Sequence, residues 1–398
     1  MADFPSWGLP RRRGTVPANH SGVLGRNDKE PMISAKEPSS VIEALASPGA
    51  DMISTRMFRM FLRARVALIC LAILSVCSPA VAEGLTADQK ACADPGPQSI
   101  AACDRLIEAG VSGRDLSITL YFRGDSRLDS GDLDGALQDS LEVIRLDPAD
   151  RWGYYLKGNV HLELDQPEQA IAALTRAIEI EPDFAVAYSS RGRAYLRLDR
   201  TAPALADHNR AVALDPADHI IWNNRGVFFW ATQRDHLAAI DFAESVRLEP
   251  GFALGHHNLG DANRSLGRQD AALAAYREAF RLGSEDPTLL NELAWTLVLV
   301  REFKEAEPIA RLAAAKAPDL PEYLDTLAHA LMGLGKQREA EDAFAKVIDS
   351  GASGLIEDYQ KSLAAKGYEP GPADGKDRAP LRAALADCIR DNCQPLVD

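Results

Sequence analysis

The sequence predicts an all-α fold, a solenoid of antiparallel helix pairs, because three residue types recur with a period of about 34 residues. Each type keeps a fixed position within the period, which has the length of one helix–turn–helix unit. The phased residues are the glycines Gly124, Gly158, Gly192, Gly226 and Gly260, the alanines Ala136, Ala170, Ala204, Ala238 and Ala272, and the prolines Pro148, Pro182, Pro216 and Pro250. Such units bury a core only by stacking, so we expect an extended binding surface and no catalysis.

Large and small residues are placed within each unit as two crossing helices require. Trp222 and Phe229 supply bulk between the helices, whereas Gly226 and Ala238 are small enough to let them approach closely. Pro250 cannot continue a helix and therefore sets the turn into the next unit. Further glycines fall in the turn inside a unit, where a positive φ costs little. These are Gly131, Gly267 and Gly335.

Residues 115–352 resemble the tetratricopeptide repeat (TPR) family, whose pattern is W-x2-L-G-x2-Y, then A-x3-F, then P. The best copy matches at Trp222, Gly226, Phe229, Ala238, Phe242 and Pro250. We count seven repeats. The fifth has His256 in place of Trp, and its closing proline, Pro287, comes three residues late. The resemblance implies a right-handed superhelix in which the first helix of each repeat, helix A, lines a concave groove.

The resemblance also implies which side chains meet a ligand. In this family, solvent-facing positions of helix A beside the phased glycine line the groove. Asn and Arg side chains at such positions can bond the unpaired backbone groups of an extended peptide. The corresponding residues here are Tyr155, Asn159, Arg193, Asn223, Asn224, His257 and Asn258, with Trp230 one turn further along. We therefore expect a protein or peptide ligand.

Residues 1–82 are predicted to be a leader and an export signal. Residues 1–56 lack periodicity and are rich in Pro, Gly and Ser, a composition that cannot bury a core. In residues 57–82, basic residues are followed by an apolar run and then by a pattern of small residues. This is the order of regions in a secretory signal peptide. Cleavage is expected after Ala82, which would leave the mature chain in the periplasm or outside the cell.

Two features of this signal leave alternatives. Its apolar run, Val66 to Cys77, is shorter than the ~20 residues of a spanning helix, so an uncleaved anchor is the second interpretation. The signal also lies far from Met1. We therefore expect translation to start at Met57 or Met60, with residues 1–56 not translated.

Four cysteines remain after the signal, Cys92, Cys103, Cys388 and Cys393, as one close pair near each end. In an oxidising compartment an even set predicts disulfides. Three connectivities exist, of which nearest-neighbour pairing is the simplest, and free buried thiols are the alternative. The spacing does not match a zinc site.

The segments that flank the repeats are predicted to close the stack. Residues 83–114 contain one amphipathic helix, Ile100–Ala109, which would act as a cap with the preceding tail tied to it by Cys92 and Cys103. The repeat period ends after Ser350, and residues 353–398 form a separate helical module.

The C-terminal module has two predicted helices, Ile356–Lys366 and Leu381–Arg390. It resembles a small peptidoglycan-binding module with the pattern L-x3-G-Y-x-P-G-P-x-D-G. The fitting residues are Leu363, Gly367, Tyr368, Gly371, Pro372, Asp374 and Gly375. An aromatic residue of that module is replaced by Cys388, so an exit cap without glycan binding is the alternative.

Charge and motif content narrow the function. The net charge is −14; residues 1–82 hold ten Lys/Arg and six Asp/Glu, a balance of +4, so the remainder carries −18. This argues against nucleic-acid or membrane-surface binding and favours basic partners. The sequence shows no catalytic, metal or cofactor motif.

We therefore predict a non-catalytic scaffold of the bacterial cell envelope that needs no cofactor. It would bind a protein or peptide in its groove and meet the membrane only through its signal. The alternative is a peptidoglycan-associated factor that recruits a wall enzyme, and an enzyme or its regulatory arm is the third interpretation.

Overall fold

The computed structural model describes residues 86–393, apart from residues 95, 97, 378 and 392, and its regular elements are all α-helices. This confirms the all-α prediction. The leader (1–56), the signal (57–82) and the cleavage site at Ala82 lie outside the described residues.

Seven antiparallel pairs, each with a helix A and a helix B, make up most of this part of the chain. Two short helices come first, α1 (Ala87–Ala93) and α2 (Ser99–Glu108). The A and B helices of repeats one to seven are, in order, α3 (Gly113–Ser130) and α4 (Leu133–Leu146); α5 (Arg151–Glu163) and α6 (Pro167–Ile180); α7 (Ala185–Arg197) and α8 (Thr201–Leu214); α9 (His219–Ala231) and α10 (Asp235–Leu248); α11 (Ala253–Ser265) and α12 (Gln269–Arg281); α13 (Pro287–Leu299) and α14 (Phe303–Lys316); α15 (Pro321–Gly333) and α16 (Gln337–Asp349). Two helices close the chain, α17 (Ser353–Ala365) and α18 (Ala379–Arg390). Seven pairs in series are consistent with the predicted superhelix.

In all seven repeats, the residue at one position of the turn between helix A and helix B has a positive φ. These residues are Gly131, Asp165, Asp199, Gln233, Gly267, Arg301 and Gly335, each one repeat period after the last. The three predicted glycines are confirmed as turn residues with positive φ, and the other four are residues for which a left-handed conformation costs about 1–2 kcal/mol. The helical register therefore persists into repeats six and seven, where other phased residues change.

The close approach of the paired helices is confirmed at the phased small residues. A Cβ added to Gly226 would lie 2.6 Å from Cε1 of Phe242, and one added to Gly192 would lie 2.9 Å from Nε2 of His208. Ala238 is fully buried. In repeats two to five, helix B thus fills the space over the phased glycine with one large side chain.

His256 keeps a hydrogen bond of the tryptophan that it replaces. Nε1 of Trp222 donates to the carbonyl oxygen of Pro216 at 2.8 Å. One repeat later, Nε2 of His256 lies 3.1 Å from the carbonyl oxygen of Pro250. This contact ties the start of helix A to the closing proline of the preceding repeat.

Pro287 is not a late closing proline. It is the first residue of α13, as Pro321 is of α15, where proline is favoured because its missing N–H is not needed. The closing position of the fifth repeat is held by Ser284, after a left-handed Gly283. The expectation misread a helix-starting proline as a helix-ending one.

The N-terminal cap is two helices and not a lone one. Thr86 forms a capping box that starts α1, a helix too short for its periodicity to be visible in the sequence. The predicted pair Cys92 and Cys103 is bonded, with Cα atoms 4.8 Å apart, and joins α1 to α2. The Ser99 hydroxyl lies 2.7 Å from that of Ser126 in α3, which docks the cap onto the first repeat.

At the other end the stack continues one helix beyond Ser350. The Tyr359 hydroxyl of α17 donates to Oδ1 of Asp325 in α15 at 2.5 Å, and both side chains are fully buried. These two residues are one repeat period apart, so α17 takes the place of a further helix A. Cys388 and Cys393 lie side by side with Cα atoms 5.1 Å apart, a distance that a disulfide can span, as nearest-neighbour pairing predicts.

Contacts between consecutive A helices differ from contacts between consecutive B helices. Consecutive A helices pack on each other over most of the described chain, whereas consecutive B helices make at most marginal contact. The stack is therefore tightest on the side of the A helices, which form its inner wall. Among the seven repeats, the A–A contact is weakest between α11 and α13, in repeats five and six.

Candidate ligand groove

A ladder of side-chain hydrogen bonds runs along the inner wall from repeat three to repeat five. Nδ2 of Asn224 donates to Oγ of Ser189 at 2.8 Å, and Nδ2 of Asn258 donates to Oδ1 of Asn223 at 2.8 Å. Both rungs join consecutive A helices at the same spacing along the chain. The repeat therefore brings the same two positions together each time.

The ladder begins one repeat earlier. Tyr155 precedes Ser190 by the same spacing as in the other rungs, and the side chains of Asn159 and Ser190 both act to lower the pKa of its hydroxyl. Burial raises the pKa of Tyr155 to about 12, so the phenol stays protonated in any ordinary buffer. Its role in the wall is that of a neutral hydrogen-bonding group.

The ladder corrects the expected exposure of the candidate ligand residues. Five of the eight are buried rather than solvent-facing, because neighbouring A helices lie close enough for these side chains to contact one another. Their exposed fractions are 3% for Tyr155, 1% for Asn223, 6% for Asn224, 8% for His257 and 2% for Asn258. Asn159, Arg193 and Trp230 are half-buried. Contact of any of these residues with a ligand stays a prediction.

Repeat five ends the ladder in a compact polar network. The Tyr276 hydroxyl donates to Oδ1 of Asp261 at 2.7 Å, and Nε2 of His257 lies 3.7 Å from Oδ2 of the same carboxylate. Nε of Arg264 lies 3.1 Å from Oε2 of Glu292, which connects α11 to α13. Burial is the largest cause of the raised pKa of Tyr276.

Several buried polar atoms of α11 and α13 have no hydrogen-bond partner. They include Oδ1 of Asn258, Oδ1 of Asn291 and Nε2 of His257. Asn291 is 8% exposed and lies on α13, one repeat period after His257. Because buried polar groups in proteins are nearly always bonded, these atoms are candidate contacts for a ligand or a solvent molecule.

Sequence reasoning missed Trp295 as a groove residue. It is half-buried on α13, and its ring meets that of His329 edge-on with centroids 5.4 Å apart. It lies three full repeat periods after Arg193. Its phase is visible in the sequence, but the glycine beside this position in repeats one to five is replaced by Ala294 in repeat six.

Sequence reasoning also missed a set of phased ion pairs inside the repeats. The guanidinium of Arg225 holds both carboxylate oxygens of Asp241 at 2.7 and 2.9 Å, and Arg191 holds Asp207 at the same two distances. Burial is the largest influence on Asp241 and raises its pKa. These pairs join helix A to helix B within a repeat. They are structural, and both members recur one repeat period apart in the sequence.

Two further features bear on the type of site. Among the described residues, no group of three or more His, Cys, Asp or Glu side chains is placed to hold a metal ion. In the same part of the chain, no helix has the length and apolar character needed to cross a bilayer.

Comparison with known proteins identifies the repeat. Tetratricopeptide repeat models match residues 152–184, 189–251 and 257–321. The chain contains helical repeats, and the matched residues are tetratricopeptide repeats. Proteins built from such repeats generally serve as protein-interaction scaffolds. None of the curated proteins compared with the chain matches it.

Solved structures share the fold at low sequence identity. The Cut9–Hcn1 hetero-tetramer of the APC/C is 20% identical with a TM-score of 0.52, and the match covers 69% of this chain and 55% of that one. PilF of Pseudomonas aeruginosa is 23% identical with a TM-score of 0.47, over 50% and 91%. The TPR protein TTC0263 of Thermus thermophilus is 20% identical with a TM-score of 0.42, over 46% and 99%. The chain thus spans about half the length of the Cut9–Hcn1 chain that it matches. These similarities concern the fold alone.

Proposed function

We propose that the chain is an exported, non-catalytic scaffold of the bacterial cell envelope that binds an extended protein segment along its wall of A helices. The observation that carries this proposal is the inner wall of A helices, with half-buried Asn159, Arg193 and Trp230 on its surface and unpartnered polar atoms at Asn258 and Asn291. An extended segment has unpaired backbone N–H and C=O groups along its length, and such a wall can bond them. No cofactor is required for this activity.

Export is supported by two features at the ends of the chain. Residues 57–82 carry the signal-peptide pattern, Cys92 is bonded to Cys103, and Cys388 lies next to Cys393 at a distance that a disulfide can span. Disulfides persist in oxidising compartments and are rare in the reducing cytosol. The proposed location is therefore the periplasm or the exterior.

The site of binding is testable by photo-crosslinking in native envelopes. We replace Trp230 with benzoylphenylalanine, which retains aromatic bulk at this half-buried groove position. The matched control places the same amino acid at Ile240, which is 61% exposed on helix B of the same repeat. A discrete protein adduct is expected from position 230 and not from position 240.

The crosslinking result has clear contrary outcomes. Identical adducts from both positions would place the partner outside the groove. An absence of any adduct from position 230, with the variant folded in the envelope, would contradict the scaffold proposal itself.

A second candidate function is binding to peptidoglycan through residues 353–398. Its support is an ordered loop that contains the resembling pattern. Oε1 of Gln360 accepts hydrogen bonds from the backbone N–H groups of Asp374 and Gly375, each at 3.0 Å. The Tyr368 hydroxyl donates to Asp391 at 3.0 Å across the module.

Co-sedimentation with purified sacculi tests this candidate. The full chain is expected to pellet with sacculi, and both deletion of residues 353–398 and Tyr368→Ala are expected to release it. The point variant is included because the deletion uncovers the buried face of α15. A full chain that stays in the supernatant would exclude wall binding and leave the module as an exit cap.

A further inference from the structure

The place where the ladder ends, between repeats five and six, has the features of a site for one particular side chain. At the spacing of the other rungs, the next rung would join His257 to Glu292. Glu292 instead lies 3.1 Å from Nε of Arg264, and Nε2 of His257 has no hydrogen-bond partner. The ladder therefore stops here, where the contact between consecutive A helices of the seven repeats is weakest.

The end of the ladder leaves hydrogen-bond acceptors in a buried position. Nδ2 of Asn258 donates backward to Asn223, while its Oδ1 has no partner, and Oδ1 of Asn291 has none. The two side chains are 2% and 8% exposed. Because a buried acceptor without a donor destabilises a fold, a ligand that supplies donors here would gain more than at a hydrated surface.

The charged network next to Asn291, which includes Glu292 of the same helix, favours a cationic donor. Asp261 and Glu292 carry two negative charges against the single positive charge of Arg264. The Tyr276 hydroxyl is already used, since it donates to Asp261. A carboxylate or phosphate would meet acceptor oxygens and like charge, whereas an ammonium or guanidinium group would meet the opposite.

The adjoining face of α13 suits the rest of a long basic side chain. Asn291, Trp295 and Leu299 are spaced four residues apart and so lie on one face of the helix. Trp295 is half-buried, and Leu299 is 37% exposed. An indole face attracts cations, and an exposed leucine can pack against an aliphatic stem.

We propose that the groove face of α13 formed by Asn291 and Trp295, beside the charged network of Glu292, Arg264 and Asp261, receives a lysine or arginine side chain of the segment bound in the groove. The inference rests on the proposed function and adds the chemical identity of the residue that is recognised. It also agrees with the balance of −18 carried by residues 83–398.

The test uses a phage-displayed library of random decapeptides selected on the full chain. The selected peptides are synthesised, and their affinities are measured by isothermal titration calorimetry. Lys or Arg is expected in every strong binder, and replacing it with norleucine or citrulline is expected to weaken binding at least tenfold. Asn291→Leu is expected to cause a similar loss, because it removes an acceptor that the free protein does not use.

The matched control is Asn209→Leu, the same chemical change at an exposed position of helix B. It is expected to leave affinity unchanged. Binders that tolerate Asn291→Leu and the loss of their charge, yet are weakened by Trp230→Ala, would overturn this inference and leave the groove proposal standing. Binders that are unaffected by all three changes, or a library that yields none, would overturn both.

Discussion

Repeats one, three and four hold the helix crossing together with different contacts from those of repeats five to seven. In repeat four, helix A supplies Arg225 and helix B supplies Asp241, which form a buried ion pair. The ion-paired positions in repeats one and three are Arg123 with Asp139 and Arg191 with Asp207. The same positions in repeats five, six and seven are Leu259 with Ala275, Leu293 with Ile309, and Leu327 with Ala343.

This difference separates the fold from the contacts that maintain it. The apolar version packs into one continuous core that runs from Ala272 to Ile389. In the first half, polar side chains are bonded to each other, both between the helices of a repeat and along the ladder of A helices. A polar residue in phase is therefore no sign of a binding site, and the residues left without partners are better candidates.

The largest expected effect comes from breaking one ion pair in the first half. Asp241→Ala leaves the guanidinium of Arg225, which is 18% exposed, without its carboxylate partner. We expect a loss of about 3 kcal/mol in the free energy of unfolding, because an unpaired buried charge is strongly destabilising. Urea denaturation followed by circular dichroism measures it.

The control for this variant places the apolar residues of repeat five at the same positions of repeat four. The double variant Arg225→Leu with Asp241→Ala reproduces the pair Leu259 and Ala275. It is expected to recover most of the loss, since replacing both partners by apolar groups is often neutral. A double variant as unstable as Asp241→Ala would show that the two halves are not interchangeable.

An effect of similar origin but smaller size is expected at His208 below neutral pH. The fully buried imidazole lies over Gly192, where repeat two has Leu174, and neither ring nitrogen has a hydrogen-bond partner. Burial lowers the pKa of His208 from 6.5 to about 3. Below pH 6.5 His208 therefore binds a proton in the unfolded chain but not in the folded chain. The free energy of unfolding consequently falls as the pH drops from 6.5 toward 3.

At pH 5 this loss is expected to be about 2 kcal/mol relative to pH 7.5. His208→Leu should remove that part of the pH dependence, as judged from urea denaturation at both values. His161→Leu, at a half-buried histidine bonded to Gln166, is the control and should retain it. An unchanged pH dependence in His208→Leu would contradict the assignment.

The smallest effect concerns the turns, where the two halves are alike. Gln233 in the first half and Arg301 in the second have φ of 62° and 65°, in the turn position that Gly267 occupies with 69°. Each replacement by glycine is expected to raise the unfolding free energy by about 1 kcal/mol, and Gly267→Gln to lower it by a similar amount. Thermal melts that rank the three variants otherwise would show that these turns are not strained.

Some features of the fold could be predicted from the sequence and others could not. The helix pairs, the turn glycines and the two cysteine pairs were predictable because each leaves a phased or paired residue in the chain. The short helix Ala87–Ala93 and the role of Pro287 were not, since one is too short to show periodicity and the other depends on which side of a helix boundary it lies.

Groove positions were predictable, but their burial was not. The positions of Asn223, Asn224 and Asn258 follow from the resemblance, yet their bonds depend on how closely consecutive A helices pack. That distance is a property of the stack, which no single repeat encodes. The Arg–Asp pairs, in contrast, recur at the repeat period in the sequence, as the phased glycines, alanines and prolines do, so they could have been predicted.

The central claim is that paired asparagines of the groove hold the repeats together, whereas Asn291 is kept for a ligand. Unfolding free energies of Asn223→Leu and Asn291→Leu, measured without ligand, test it directly. Asn223→Leu is expected to lose about 1–2 kcal/mol, because it leaves the buried amide of Asn258 without its acceptor. Asn291→Leu is expected to be as stable as the wild type or more so, and a loss equal to that of Asn223→Leu would contradict the claim.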